Sequence, residues 1–286
     1  MARLSMNELT TYRWSFEEDV RQYSAAGYDG IGVWREKLTD FGEENALRLL
    51  TQSRLSVSLL SWAGGFTGSD GRSHVEAIED GLDAVRLAAR LHADCLIVHS
   101  GARSGHTRNH VRRIFRDALK ELLGAAEPLG VDIAIEPLHP NCAADWTILA
   151  GLNDAVDLLQ SCASPRLKLA LDAYHLGHDD GVLQRLGELA PHTAVVQLGD
   201  TRHVPGGEPD RCPLGEGIIP LRRFVSELLC AGFNGFFDVE LAGEEIESTD
   251  YCHLLHHSRC AFKELIDAAR PAIGSRSRLP QVADFR

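Results

Sequence analysis

The sequence has no CxxC pair, no apolar run near the ~18 residues a membrane span needs, no GxGxxG turn behind its first strand-like segment, and no Pro- or Ser-rich linker. Each absence excludes a class of protein. Seven cysteines scattered from Cys95 to Cys260 fit neither a disulfide framework nor a zinc knuckle, so reduced and mostly buried thiols are expected. The missing glycine fingerprint argues against an open doubly wound nucleotide-binding sheet. Basic residues are also in short supply, 29 against 41 acidic ones for a net charge of −12. Such a surface repels polyphosphate, so nucleic acid is not an expected partner, and neither is a membrane. The opening MARLSMNELTTYRW lacks the apolar core of a secretion signal, and a cytoplasmic location is the expectation. Without an internal linker, residues 1–273 read as one domain. The Arg-, Ser- and Pro-containing segment 274–286 reads as a tail, loosely ordered or touching a partner.

What the chain does have is a rhythm. Short β-rich runs recur as RLSM, GIGVW, LSVSLLSW, CLIVHS, DIAIEPL, LKLALD, TAVVQL and FFDVEL. Between them lie helical periodicities with start signals, including Ser15 with Glu18 and Ser73 with Glu76 in the spacing of a capping box. AAGYDGIGVW and CAGFNGFFDV echo each other, each reading as a helix closed by Gly before a strand. Strands that alternate with long helices pair in parallel, and eight such units predict a single α/β (β/α)8 TIM barrel.

Barrel strands alternate inward and outward, so parity assigns faces. Ala134 shares a face with Glu136, Lys168 and Ala170 with Asp172, Thr193 and Val195 with Gln197, and Phe236 and Asp238 with Glu240. Four consecutive strands thus end with Glu136, Asp172, Gln197 and Glu240 at the C-terminal rim, where barrels of this kind build their sites. Three carboxylates there repel, by on the order of 4 kcal/mol per pair at ~4 Å and an effective dielectric near 20. The sum approaches a domain's whole stability of about 5–15 kcal/mol. A divalent cation relieves it, and an oxygen-rich set suits Mn²⁺ or Mg²⁺, with Co²⁺ or Zn²⁺ as alternatives. Glu136, Asp172, Gln197 and Glu240 are the expected ligands.

His175, three residues past Asp172, and His99, ending CLIVHS, are placed to meet a small-molecule substrate. Trp62 and Phe66 follow the third strand and are candidates for an apolar wall, while His139 and His178 are less specific. The long loop GDTRHVPGGEPDRCPLGEG carries Arg211, a candidate for a hydroxyl, carboxylate or phosphate, with Glu216 or Asp210 to orient it.

These motifs, IAIEPL, LDAYH, VQLGD, DRCPLGEG and FDVEL, resemble the xylose isomerase-like barrels, which include sugar epimerases, hydroxypyruvate isomerase, inosose dehydratase and, more distantly, endonuclease IV. The resemblance spans nearly the whole chain. It implies one divalent ion on Glu136, Asp172, Gln197 and Glu240, proton transfer by the two glutamates, and substrate contacts from residues placed like His175 and Arg211. Many members carry His where this chain has Gln197, although some dehydratases carry Gln. Cys212 stands where a D-R-H triplet would have His, which counts against the nuclease.

The expected function is a metal-dependent isomerase or epimerase of a small polyhydroxy ketone or aldehyde. Glu136 and Glu240 would be the catalytic acid and base, and His175, Arg211, His99 and Trp62 the substrate contacts. The alternatives are a dehydratase of keto-inositol or dehydroshikimate type and a barrel that binds sugar without turnover. A homo-oligomer is left open.

Overall fold

A computed structural model of the protein describes residues 2–276. Eight parallel strands close a barrel: β1 (Arg3–Asn7), β2 (Gly30–Trp34), β3 (Ser56–Ala63), β4 (Cys95–Val98), β5 (Asp132–Ile135), β6 (Leu167–Asp172), β7 (Thr193–Leu198) and β8 (Phe236–Val239). They coincide with the eight runs legible in the sequence. Register brings β8 back against β1, with Arg3 beside Phe236 and Ser5 beside Asp238.

The interior fills in layers, and β8 shows why. Its inward residues are Phe236, then Asp238, then Glu240 just beyond its end. Phe236 packs with Leu59, Cys95, Ile97, Ala134, Ala170 and Val195 as an apolar plug at the bottom. Alanines on β5 and β6 make room for the ring, and so does Gly30, where a Cβ would stand 2.7 Å from it. Above the plug, Asp238 is fully buried and accepts hydrogen bonds from Ser5 Oγ at 2.5 Å, Ser58 Oγ at 3.1 Å and Asn7 Nδ2 at 2.8 Å. Glu240 then emerges at the mouth. The outward faces bury Ile31, Val33, Leu60, Leu96, Ile133, Leu169, Leu171, Val196 and Phe237 against the helices, in a core large enough to dominate stability.

The helix starts follow their signals. Ser73 caps His74–Leu91 in a full capping box with Glu76. Ser15 caps Phe16–Ala26 by accepting from the Glu18 amide. Gly27 and Gly232, the two echoed glycines, both take positive φ, the left-handed step that glycine tolerates best at a helix end. The final helix, Tyr251–Arg276, packs on Leu221–Cys230 and takes in the first residues of the predicted tail. Residues 277–286 lie outside those described. All seven cysteines are free, but only Cys95 and Cys212 are buried, while Cys252 and Cys260 are exposed. The expectation of mostly buried thiols therefore fails: Cys252 and Cys260 lie on the exposed face of an amphipathic helix. No helix of the described residues is long and apolar enough to cross a membrane.

Candidate metal centre and active site

Alternation along β4 to β8 carries His99, Glu136, Asp172, Gln197 and Glu240 to one rim, and all but Glu240 are individually at or below 9% exposure. Asp172 caps the short turn Ala173–Leu176, its Oδ1 accepting from the Tyr174 amide at 2.8 Å. That turn swings His175 back over the mouth, its Nε2 3.9 Å from Asp172 Oδ2. Donor atoms of Glu136, Asp172 and His175 all lie within 4.8 Å of one another. His175, expected among the substrate contacts, thus joins two of the four expected ligands.

The other two are engaged with each other. Gln197 Nε2 donates to Glu240 Oε2, which also accepts from Asn7 Nδ2 at 3.0 Å. The Arg211 guanidinium donates to Asp172 Oδ2 at 2.7 Å, to Glu240 Oε1 at 3.3 Å and to the Glu240 carbonyl at 3.0 Å. It lies 4.4 Å over the Tyr174 ring. Neither residue expected to orient Arg211 does so: Glu216 pairs with Arg202, and Asp210 accepts from the Tyr174 hydroxyl. The loop after β7 is more ordered than its glycines and prolines imply. It forms a two-residue antiparallel ladder, Asp200–Thr201 with Arg211–Cys212, while Asp200 accepts from the amides of Gly215, Gly217 and Ile219. That ladder delivers Arg211 into the mouth.

The charge balance differs from the three-carboxylate count, because Arg211 neutralises part of it. Burial works against its charge, but Asp172 and Glu240 outweigh that and hold Arg211 firmly protonated. The carboxyls still move upward. Burial, then Glu240 and Asp172, push Glu136 well above its ordinary value. Burial lifts Glu240 to about 7 against the opposing pull of Arg211, and it also raises Asp172. Desolvation drives the histidines the other way, His99 to about 4 and His175 well below its ordinary value. His99 Nε2 lies 3.3 Å from Glu136 Oε2, and burial disfavours the charged form of both groups.

Three unsatisfied atoms test whether a cation fits. Gln197 Oε1 is buried without a donor, as are His175 Nδ1 and His99 Nδ1. Among the described residues Glu136 has no side-chain hydrogen bond, only His99 Nε2 standing 3.3 Å from its Oε2. A buried carbonyl oxygen, an unpaired imidazole nitrogen and under-satisfied carboxylates are what a divalent ion completes. The residues present fit such an ion.

Trp62 stands edge-on to His99 at 6.3 Å and to Trp146 at 5.4 Å, giving the mouth an aromatic side. Phe66 does not contribute to it. It is fully buried and stacks on Phe115 at 6.0 Å, because its loop turns inward against the helices. His139 and His178, 6.1 Å apart, line a lateral cavity that also reaches His175. Trp146, Asn7 and Asp238 were not singled out in the sequence. The parity that finds Glu240 also puts Asp238 inward one step below it, while Trp146 sits in an irregular loop with no periodic signal.

A closed (β/α)8 barrel with carboxylates, histidine and arginine gathered at its C-terminal mouth defines the class. Residues 20–270 match the model of the xylose isomerase-like TIM barrel, and the chain belongs to that family. Fructoselysine 3-epimerase of Escherichia coli O157:H7 is 25% identical over 253 residues, covering 80% of this chain and 86% of its own. Inosose isomerase of Bacillus velezensis is 24% identical over 251 residues, covering 84% and 88%. Among solved structures, protein SMc04130 of Sinorhizobium meliloti 1021 superposes with a TM-score of 0.85 at 26% identity, covering 92% of this chain and 98% of that one. A zinc-bound IOLI protein superposes at 0.81 with 21% identity, covering 93% and 98%.

Proposed function

We propose that the protein is a divalent-metal-dependent isomerase or epimerase of a small polyhydroxy ketone or aldehyde. It would move a proton at the carbon beside a carbonyl. The observation that carries this reading is the pair of glutamates, buried Glu136 and partly buried Glu240, near enough to repel across one mouth. In the metal-free protein both are shifted upward, Glu240 to about 7, and two carboxyls at one mouth can take a proton at one and return it from the other. The names of the epimerase and isomerase relatives support the same chemistry.

Glu136, Asp172, Gln197 and Glu240 would hold the ion, with His175 as a further donor. When bound, a divalent cation there supplies Lewis acidity that makes a C–H beside a carbonyl more acidic. The chain does the rest. One glutamate takes the proton and the other returns it, to the opposite face or to the adjacent carbon. Arg211, fixed by Asp172 and Glu240, presents positive charge to the enediolate oxygens. His99 stands against the Glu136 carboxyl at 3.3 Å. Trp62 and Trp146 shield that side from water.

The test is proton exchange. Ketoses, inososes and keto-acids are incubated in D₂O with Mn²⁺, and the signal of the hydrogen beside the carbonyl is followed. Loss of that signal, with deuterium in substrate or epimer, is expected for the parent, and a fall of at least about 10³-fold for Glu136→Gln and Glu240→Gln. Growth of a conjugated enone would instead identify a dehydratase, and no exchange with any compound would overturn the reading.

A further inference from the structure

The chain's four tryptophans, Trp14, Trp34, Trp62 and Trp146, all stand at strand ends or loops on the mouth side of the barrel. Trp14 is accounted for by edge-on packing against Tyr251 at 5.2 Å. The other three are only partly buried or exposed, although tryptophan is the chain's largest apolar side chain. Two of them, Trp34 and Trp62, wall a cavity of about 530 Å³ between the loops that follow β2 and β3. That volume is in the range of small-molecule pockets, about 300–1,000 Å³.

We propose that this cavity binds an uncharged sugar ring carried by the substrate beyond its reacting carbons. The proposal rests on the isomerase or epimerase reading for the reacting end. Trp62 joins the two regions: it lines the cavity and its ring meets His99 at 6.3 Å, which contacts Glu136 at 3.3 Å. One indole and one imidazole therefore separate the cavity from the proposed proton-transfer residue.

The lining selects the ligand's chemistry. Arg35 grips Asp80 with both nitrogens, at 2.7 and 3.2 Å, and donates to the Trp62 carbonyl at 3.0 Å, which fixes that tryptophan. Arg72 pairs with Asp70 at 2.6 Å and Asp80 at 3.0 Å. Both cations are thus committed, while Glu36 and Asp40 stay exposed as acceptors. A phosphate would meet those carboxylates with no uncommitted arginine from the lining to offset them. A hydroxylated ring gives its hydroxyl hydrogens to Glu36 and Asp40 and lays its slightly positive C–H face on the negative face of an indole. Binding energy from such a remote ring is available to hold the reacting carbons between the glutamates.

The experiment uses the full chain with Mn²⁺ and two arms. In the binding arm, methyl glucopyranoside, which has no carbonyl to react, is titrated and followed by saturation-transfer NMR and tryptophan fluorescence. Saturable binding is expected, weakened about tenfold by Trp34→Ala and by Thr39→Phe, which fills the cavity from an exposed helix position, and unaffected by Glu136→Gln. Glucosamine and glucose 6-phosphate serve as charged comparators. In the turnover arm, a ketose bearing a glucosyl substituent is expected to exchange with a lower KM than the free ketose, and Thr39→Phe to remove that advantage. No saturable binding of the neutral glycoside, binding indifferent to both cavity variants, or binding of a charged comparator alone would overturn the proposal. Failure of all exchange with the binding arm intact would overturn the catalytic reading and leave the ring site standing.

Discussion

At the scale of single residues, the mouth stores electrostatic cost in its carboxyls. Burial lifts Glu240 to about 7 and Asp238 to about 6, above the ordinary values of about 4.3 and 3.9. Across that interval the folded chain holds protons that the unfolded chain has released. Stability from these groups is therefore fully present below the unfolded values and falls as pH rises through the folded ones. With metal removed by chelation, the melting temperature of Glu240→Gln relative to the parent should climb between pH 4.5 and 8, because the variant has no proton to lose there. Parallel melting profiles by calorimetry would contradict the assignment. Glu136, Asp172, Gln197 and Glu240 were legible because a strand's two-residue period is strict and each ends such a run. The partners were not: Arg211 reaches Asp172 across 39 positions of sequence, and local pattern carries no information about such a contact.

At the scale of elements, the loop after β1 is pinned by a charged cluster that periodicity does not reveal. Lys37, near the start of the helix Arg35–Phe41, is almost fully buried and donates to Asp19 Oδ2 at 2.6 Å, to the Thr11 carbonyl at 2.9 Å and to the Glu8 carbonyl at 3.2 Å. Thr11 Oγ1 donates to the other Asp19 oxygen at 2.6 Å. Burial, then Asp19, raise Glu8 well above its ordinary value, so Lys37 counterbalances the shared charge of two carboxyls. Lys37→Met should cost about 3–5 kcal/mol by leaving that charge unpaired, read as a lower urea midpoint at unchanged slope. A loss under about 1 kcal/mol would show the cluster to be solvated. A sequence reader sees lysine on a short helix and expects it in water. The strands and caps were legible because their signals are local, as with Ser73 and Glu76. The ladder after β7 was not, since glycines and prolines there signal turns without saying that Asp200 will gather four amides.

At the scale of the whole molecule, the architecture explains why function concentrates at one end. Each strand of β4 to β8 gives at least one inward residue to the apolar plug and ends on a polar group, so a rigid cylinder presents its donors on one rim. Eight alternating runs made that closure legible in the sequence, and the match to the family over residues 20–270 agrees with it. We propose that the rim is a single divalent-cation site built on Glu136 and Asp172. Titration of metal-free protein with Mn²⁺, reading the free ion by electron paramagnetic resonance, tests it most directly. One tight site per chain is expected, lost in Asp172→Ala and in Glu136→Gln while both variants keep the parent's circular dichroism. Free Mn²⁺ that never falls in the parent, or equal uptake by folded variants, would contradict it.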